Sequence, residues 1–160
     1  ESSNKIIQRG EIVSFDTDMV GPYGYCADIS RTYVEGNKFS DNQKKLYSMA
    51  VEQINHNARL IKPGMSFKEF IEKSWILPEE YYGNRYSVMV HGIGLCDEWP
   101  AIRYPTDGGE RSGTFETNMT ITVESYIGKV GGNEGVKLEQ QYLVGKNNLE
   151  LMSHHPLEDI

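Results

Sequence analysis

Apolar and polar residues alternate along Glu11–Asp18 (EIVSFDTD), the period-two pattern of a half-buried strand, and a second extended run, Tyr23–Val34, follows the Gly21-Pro22 turn signal. The period then changes. Leu46, Met49, Ala50, Ile54, Ala58 and Ile61 recur near helical spacing, so a helix is expected to open at Ser40 or Asp41, either of which can cap it, and to end at Pro63-Gly64. A shorter helix is expected from Ser66, with Glu69 as its capping-box partner. Tyr86–Gly94 reads as a strand entering a glycine-bounded loop, and Trp99–Gly113 as irregular. Met119–Ile127 alternates cleanly as a strand, and Val136–Val144 forms another after a Gly131-Gly132-Asn133 turn. Strands, then helices, then strands predict an α+β chain around a curved antiparallel sheet. No repeat, low-complexity stretch or Pro/Gly/Ser-rich linker divides the 160 residues, which are read as one domain or a piece of one.

Charge narrows the partners. Sixteen basic against 23 acidic residues leave a net charge of −7, which argues against nucleic acid, because phosphates need a basic face. No apolar run approaches the roughly 18 residues that span a bilayer. The N-terminal ESSNKIIQRGEIV has neither the apolar stretch nor the cleavage site of a signal peptide. Cys26 and Cys96 are too few for a disulfide framework, so a cytoplasmic setting away from membranes is expected.

The acidic residues fall in unusual places. Asp16, Asp18 and Asp28 lie on the two N-terminal extended runs among Val13, Phe15, Met19 and Val20, and an unbroken strand would put Asp16 and Asp18 on one face. Glu124 sits in the middle of TITVESYIG, Glu139 in the middle of VKLEQQYLV, and His91 in VMVHGIG. Taken singly, each has a plain explanation: a turn aspartate at Asp18, a satisfied core histidine, a glutamate facing solvent. Taken together, five carboxylates and one imidazole at strand positions need a compensating cation. Hard oxygen donors with one nitrogen suit manganese, iron, cobalt or zinc, in a binuclear arrangement.

These motifs, in this order, resemble the pita-bread metallopeptidase superfamily of aminopeptidase P, prolidase and methionine aminopeptidase. FDTDMVGPYGYCADISRTY resembles its first metal-binding segment, IKPGMS its inter-helix loop, HGIGLCDEWP its histidine segment, and TITVES and VKLEQQYLV its two glutamate strands. The resemblance runs from about Gly10 to Gly145. It implies the pita-bread fold, with residues 1–160 forming the metal-binding catalytic domain truncated at its N-terminal side and 146–160 a C-terminal tail. It also implies two divalent ions held by Asp16, Asp28, His91, Glu124 and Glu139. Arg31, in the Ser-Arg-Thr segment, is expected to pair with a carboxylate behind the ligands.

Two departures point to one branch. Asp16 and Asp28 stand one residue further apart than in the peptidases, with Asp18 as an added carboxylate, and Asp97 occupies the place of the peptidases' second histidine. Both features resemble the dimethylsulfoniopropionate lyases of the DddP type, which cleave a C–S bond to give dimethyl sulfide and acrylate. That resemblance adds Asp18 to the metal ligands, makes iron the expected metal, and makes Tyr86 an active-site tyrosine. It also implies a homodimer whose pocket is completed by an N-terminal segment or a partner chain. Asp97 is then the expected base for the proton α to the substrate carboxylate; its plain alternative is a loop cap before Trp99-Pro100. A sulfonium wants aromatic faces and negative charge, which Tyr86 is placed to offer. The alternatives are a dinuclear peptidase of the Xaa-Pro aminopeptidase or prolidase type, and a non-catalytic pita-bread module that binds proteins or peptides.

Overall fold

The computed structural model describes residues 4–36, 38–109, 111–158 and 160. Its framework is a five-stranded antiparallel sheet in the order β6 (Ala101–Arg103), β5 (Val88–Gly92), β7 (Thr120–Gly128), β8 (Gly135–Val144) and β9 (Leu149–Leu151). Alternation along the two long strands assigns one task to each face. Ile121, Val123 and Ile127 of β7 join Val136 and Leu138 of β8 in the apolar core with Leu46, Ala50 and Ile54 of helix α1 (Asp41–Leu60). Each fully buried Val, Leu or Ile side chain here contributes about 1.5–3 kcal/mol. The other face carries Thr122, Glu124, Lys137, Glu139 and Gln141, with Glu124 directly opposite Glu139 and Thr122 opposite both His91 and Gln141.

Helix α1 begins where its sequence predicts. Ser40 accepts from the Gln43 N–H while the Gln43 side chain accepts from the Ser40 N–H, so both groups of the capping box are used. Helix α2 (Phe67–Lys73) is capped by Ser66, whose side chain accepts from the Glu69 N–H. Phe67 and Phe70 of α2 pack edge-on against Phe115, closing the core beneath the sheet.

The polar face is covered by the N-terminal strands. β1 (Ile12–Asp16) pairs with β4 (Ser30–Val34), and the two-residue strands β2 (Met19–Val20) and β3 (Cys26–Ala27) pair with each other. β4 lies over β8: the Thr32 hydroxyl donates to the Lys137 carbonyl, and the Asp28 N–H donates to Gln141 Oε1 at 3.3 Å.

Three expectations change here. The strand expected over Glu11–Asp18 ends at Asp16. Thr17 Oγ1 takes the Ile29 N–H at 3.0 Å, so a side chain replaces the next rung of the ladder, and Asp18 turns the chain with φ of +31°. Asp16 and Asp18 therefore do not share the face of one unbroken strand. The run expected over Tyr23–Val34 is likewise divided, into a single 3₁₀ turn at Pro22–Gly24 and the strands β3 and β4. The stretch Trp99–Gly113, read as irregular, contains β6, which pairs with β5 past an irregularity between Val88 and Val90. Helix α3 (Glu79–Tyr82) and β9 are too short to leave a periodic signal.

Arg31 is a further correction. Its buried guanidinium donates to the carbonyls of Ser30 (2.8 Å), Glu139, His155 and Pro156 (3.0 Å) and to Gln140 Oε1 (2.8 Å), and among the described residues to no carboxylate. It ties β4, β8 and the 153–158 stretch together, where Tyr33 O–H and His155 Nε2 are 2.9 Å apart and the Glu158 N–H donates to Tyr47 Oη. Arg31→Met should leave several buried carbonyls without donors and lower unfolding free energy by about 3 kcal/mol, a loss that urea denaturation would measure.

Candidate metal centre

Four buried side chains from four parts of the chain meet between the sheet and the N-terminal strands. Asp28 lies between β3 and β4, His91 on β5, Glu124 on β7 and Glu139 on β8, each no more than 3% exposed. His91 Nε2 is 3.1 Å from Glu139 Oε1, 3.7 Å from Asp28 Oδ2 and 3.8 Å from Glu124 Oε1. Nδ1 of the same ring faces the Gly92 carbonyl at 3.0 Å, which fixes that nitrogen as the donor and turns Nε2 toward the carboxylates. A backbone carbonyl holding one imidazole nitrogen is the usual support for a histidine that ligates through the other.

Asp16, Asp18 and Asp97 extend this centre outward. Asp16 is exposed, and its Oδ1 lies 2.6 Å from Ser30 Oγ, which is also 2.9 Å from Glu139 Oε2. One hydroxyl proton serves only one of those oxygens at a time. Donor atoms of Asp18, Asp28 and Asp97 all lie within 4.8 Å of one another, as do those of Asp28, His91 and Glu139. Asp28 belongs to both groups. Asp97 also caps its own loop, since its Oδ1 accepts from the Glu98 N–H at 3.0 Å, as its plain reading expects. That loop is set against β5 at Gly92, where a Cβ would stand 2.2 Å from the Trp99 carbonyl oxygen; only glycine permits this approach. Tyr86 stands at the rim, its hydroxyl 3.3 Å from Glu98 Oε1 and its ring 4.6 Å from Lys137 Nζ. His56 bonds the Lys73 carbonyl and lies away from the site.

Sequence reasoning missed Lys137. Its Nζ forms a close ion pair with Glu124 Oε2 and lies 3.6 Å from Glu139 Oε2 and 4.0 Å from Asp16 Oδ2. The period-two pattern held the signal, because Lys137 is two residues before Glu139 and so shares its face. Ser30, Thr122 and Gln141 were missed as well. Their contacts run between strands far apart in sequence.

The electrostatics is that of several anions sharing too few cations. Burial, then the neighbouring charges of Glu139, Asp16 and Asp18, raises the Asp28 carboxyl well above the usual carboxylate range. Burial also pushes Glu124 up to about 7, against the pull of Lys137. Burial opposes the charge on His91, but the Glu139 hydrogen bond and the Glu124 charge outweigh it and hold the ring up to about 9. Glu139 is held low despite its burial, by His91 and Lys137. Among the described residues, Asp28 Oδ1, Glu124 Oε1 and Thr122 Oγ1 are buried without a hydrogen-bond partner. Buried carboxylate oxygens without donors, around an imidazole nitrogen presented to them, fit divalent cations.

A pH dependence follows. Asp28, Glu124 and His91 have raised values in the folded chain. Each contributes stability that is complete below its unfolded value and is lost as pH rises through its folded one. Glu139 has the opposite sign, its contribution being lost as pH falls below its ordinary carboxylate range. Chelator-treated protein should therefore lose thermal stability between about pH 7 and 9, whereas metal-loaded protein, whose ligands are already deprotonated, should not. Thermal melts across that range, with and without metal, check it. Parallel curves would count against it.

Residues 1–146 match the model of metallopeptidase family M24. The dimethylsulfoniopropionate lyase DddP of Roseovarius nubinhibens is 39% identical over 162 residues, covering 99% of this chain and 36% of that protein. The protein of the same name from Roseobacter denitrificans is 36% identical, with the same coverage of 99% and 36%. The chain thus spans just over a third of the length of these curated relatives. Among solved structures, the prolidase from Pyrococcus furiosus aligns with a TM-score of 0.78 at 26% identity, over 97% of this chain and 44% of that one. The X-Pro aminopeptidase from Thermotoga maritima aligns with a TM-score of 0.76 at 27% identity, over 98% of this chain and 42% of that one.

Proposed function

Given that this chain belongs to metallopeptidase family M24 and has its α+β pita-bread fold, we propose that it forms the metal-binding part of a lyase that cleaves dimethylsulfoniopropionate by β-elimination. The observation that carries the reading is the grouping of Asp97, which stands where a peptidase would need a second histidine, with Asp28 and the added carboxylate Asp18. It is supported by the identity to two proteins named as that lyase. Asp16, Asp18, Asp28, His91, Glu124 and Glu139 would hold two divalent ions, with iron as the proposed metal. Such ions, when bound, offset the substrate carboxylate and the negative charge that develops beside it.

The chain's own residues do the rest. Asp97 takes the proton from the carbon α to the carboxylate. The electron pair of that C–H bond forms the C=C bond, and the C–S bond breaks with its pair going to sulfur. Acrylate and neutral dimethyl sulfide result, with the proton left on Asp97. Tyr86 presents an aromatic face to the departing sulfonium, and Glu98, hydrogen-bonded to its hydroxyl, adds negative charge there. The assembly proposed is a homodimer in the cytoplasm that acts on a small zwitterion. Among the described residues, no helix is long and apolar enough to cross a membrane.

A second reading, an Xaa-Pro dipeptidase or aminopeptidase, is favoured by the alignment to prolidase and X-Pro aminopeptidase structures. Headspace gas chromatography separates the two. Iron-loaded intact protein with dimethylsulfoniopropionate should release dimethyl sulfide, and chelated protein should not. Metal-loaded protein that releases none but hydrolyses Xaa-Pro dipeptides would overturn the lyase reading.

A further inference from the structure

Both cysteines of the chain flank the carboxylates of the site, and the proposed elimination uses neither. Cys26 lies two residues before Asp28, and Cys96 immediately precedes Asp97. The Cys26 N–H donates to the Gly94 carbonyl at 2.7 Å, which fastens the β2–β3 hairpin to the loop that carries Cys96 and Asp97. Burial, then the charges of Asp97 and Cys96, pushes the Cys26 thiol up, so the side chains of both loop residues are gathered near it. Cys26 is half-buried. Cys96 is exposed, its Sγ 3.6 Å from the Asp97 carbonyl oxygen, and with His91, Gly92 and Trp99 it lines a cavity of about 230 Å³. An accessible thiol thus stands one residue from the proposed base, on a cavity that also reaches the histidine of the metal centre.

We propose that Cys96 is a modification site for the product acrylate, whose β-carbon its thiol captures as a thioether; the inference rests on the lyase reading. Elimination and addition are one reaction run in two directions. A site that expels a sulfide from the carbon β to a carboxylate also eases the return of a sulfur nucleophile to that carbon, because both directions cross the same transition state. The sulfur of Cys96 forms the new bond to the β-carbon. The C=C electron pair takes up, at the α-carbon, the proton that elimination left on Asp97, and the thiol proton passes to Asp97. Nothing is oxidised or reduced, and no group leaves. Acrylate whose carboxylate is offset by bound cations has the more electrophilic β-carbon. Adding dimethyl sulfide back gives a sulfonium that leaves again as a neutral molecule, whereas the Cys96 thioether could part only by releasing a thiolate, so it persists. Access selects between the two thiols, since nucleophilic attack needs an exposed sulfur. The adduct also sets a new carboxylate beside Asp97, where it repels the carboxylate of the next substrate.

The test is to add acrylate directly to intact, metal-loaded protein and to follow both cysteines by proteolysis and mass spectrometry. The peptide carrying Cys96 should gain the mass of one acrylate, while the peptide carrying Cys26 should not. Asp97→Asn, which has no proton to give, should slow the capture by about 10²-fold or more. Protein unfolded in urea should react as slowly as that variant. Cys96→Ser should begin releasing dimethyl sulfide at the wild-type rate and hold it through repeated turnovers, while wild type declines as its Cys96 adduct accumulates. Capture as fast in Asp97→Asn or in unfolded protein as in the folded wild type would leave only ordinary surface-thiol chemistry and overturn the proposal. So would capture at Cys26 in place of Cys96. Dimethyl sulfide release by protein whose Cys96 stays intact under added acrylate would overturn this inference alone. Metal-loaded protein that releases no dimethyl sulfide would instead overturn the lyase reading beneath it.

Discussion

Glu139→Gln is expected to weaken metal binding by more than about 100-fold and to remove metal-dependent turnover with it. Changing a residue that only supports a ligand costs about 10–100-fold in metal affinity, and Glu139, grouped with Asp28 and His91, would be a ligand itself. Its Oε1 lies 3.1 Å from His91 Nε2, and its Oε2 lies 2.9 Å from Ser30 Oγ and 3.6 Å from Lys137 Nζ. An amide fills the same volume but carries no negative charge for a cation, so the fold should persist while the affinity falls. Metal content by atomic emission and the far-ultraviolet circular dichroism spectrum, taken together, check the prediction. Full metal content in a folded variant would remove Glu139 from the ligand set.

The second large effect is expected at Asp97. Asp97→Ala should retain close to the wild-type metal content yet lose elimination by about 10²–10⁴-fold, the usual contribution of a positioned general base. Asp97 is only partly buried and sits on a loop rather than on the sheet, so its loss leaves the Asp28–His91–Glu139 group undisturbed. The loop also loses its cap on the Glu98 N–H, which is a reason to compare Asp97→Asn, where the capping oxygen remains and the base does not. If Asp97 acts as the base, both variants fail alike. Recovery in Asp97→Asn alone would assign Asp97 to loop structure, and loss of metal in both would make it a ligand.

Much of this was legible in the chain as written. Helix α1 announced both its ends, through a capping residue at Ser40 or Asp41 and the Pro63-Gly64 stop, because capping depends on residues a few positions apart. The strands bearing His91, Glu124 and Glu139 were equally plain, and the charged residue in each apolar run was the first sign of a site. The break after Asp16 was not. It depends on the Thr17 hydroxyl meeting the backbone of Ile29, a contact invisible until the hairpin closes. Arg31 was misread for a similar reason, since its carbonyl partners at residues 155 and 156 carry no signature in composition.

The sequence by itself determined which residue types the centre has to work with, and that they lie on strands. Hydrophobic alternation fixes a side chain's face to within one residue, and an acid in a buried row is costly enough to announce itself. Only the tertiary structure decided who meets whom. Register set Glu124 opposite Glu139, the crossing of β4 over β8 brought Asp28 and Ser30 to them, and the approach of the Trp99 carbonyl to Gly92 set the loop that carries Asp97. It also brought Glu124, on the neighbouring strand, to Lys137, a pairing that alternation along β8 alone does not give. Local periodicity orients a side chain, but the charge it neutralises lies on another strand, and only the closed fold brings the two within reach.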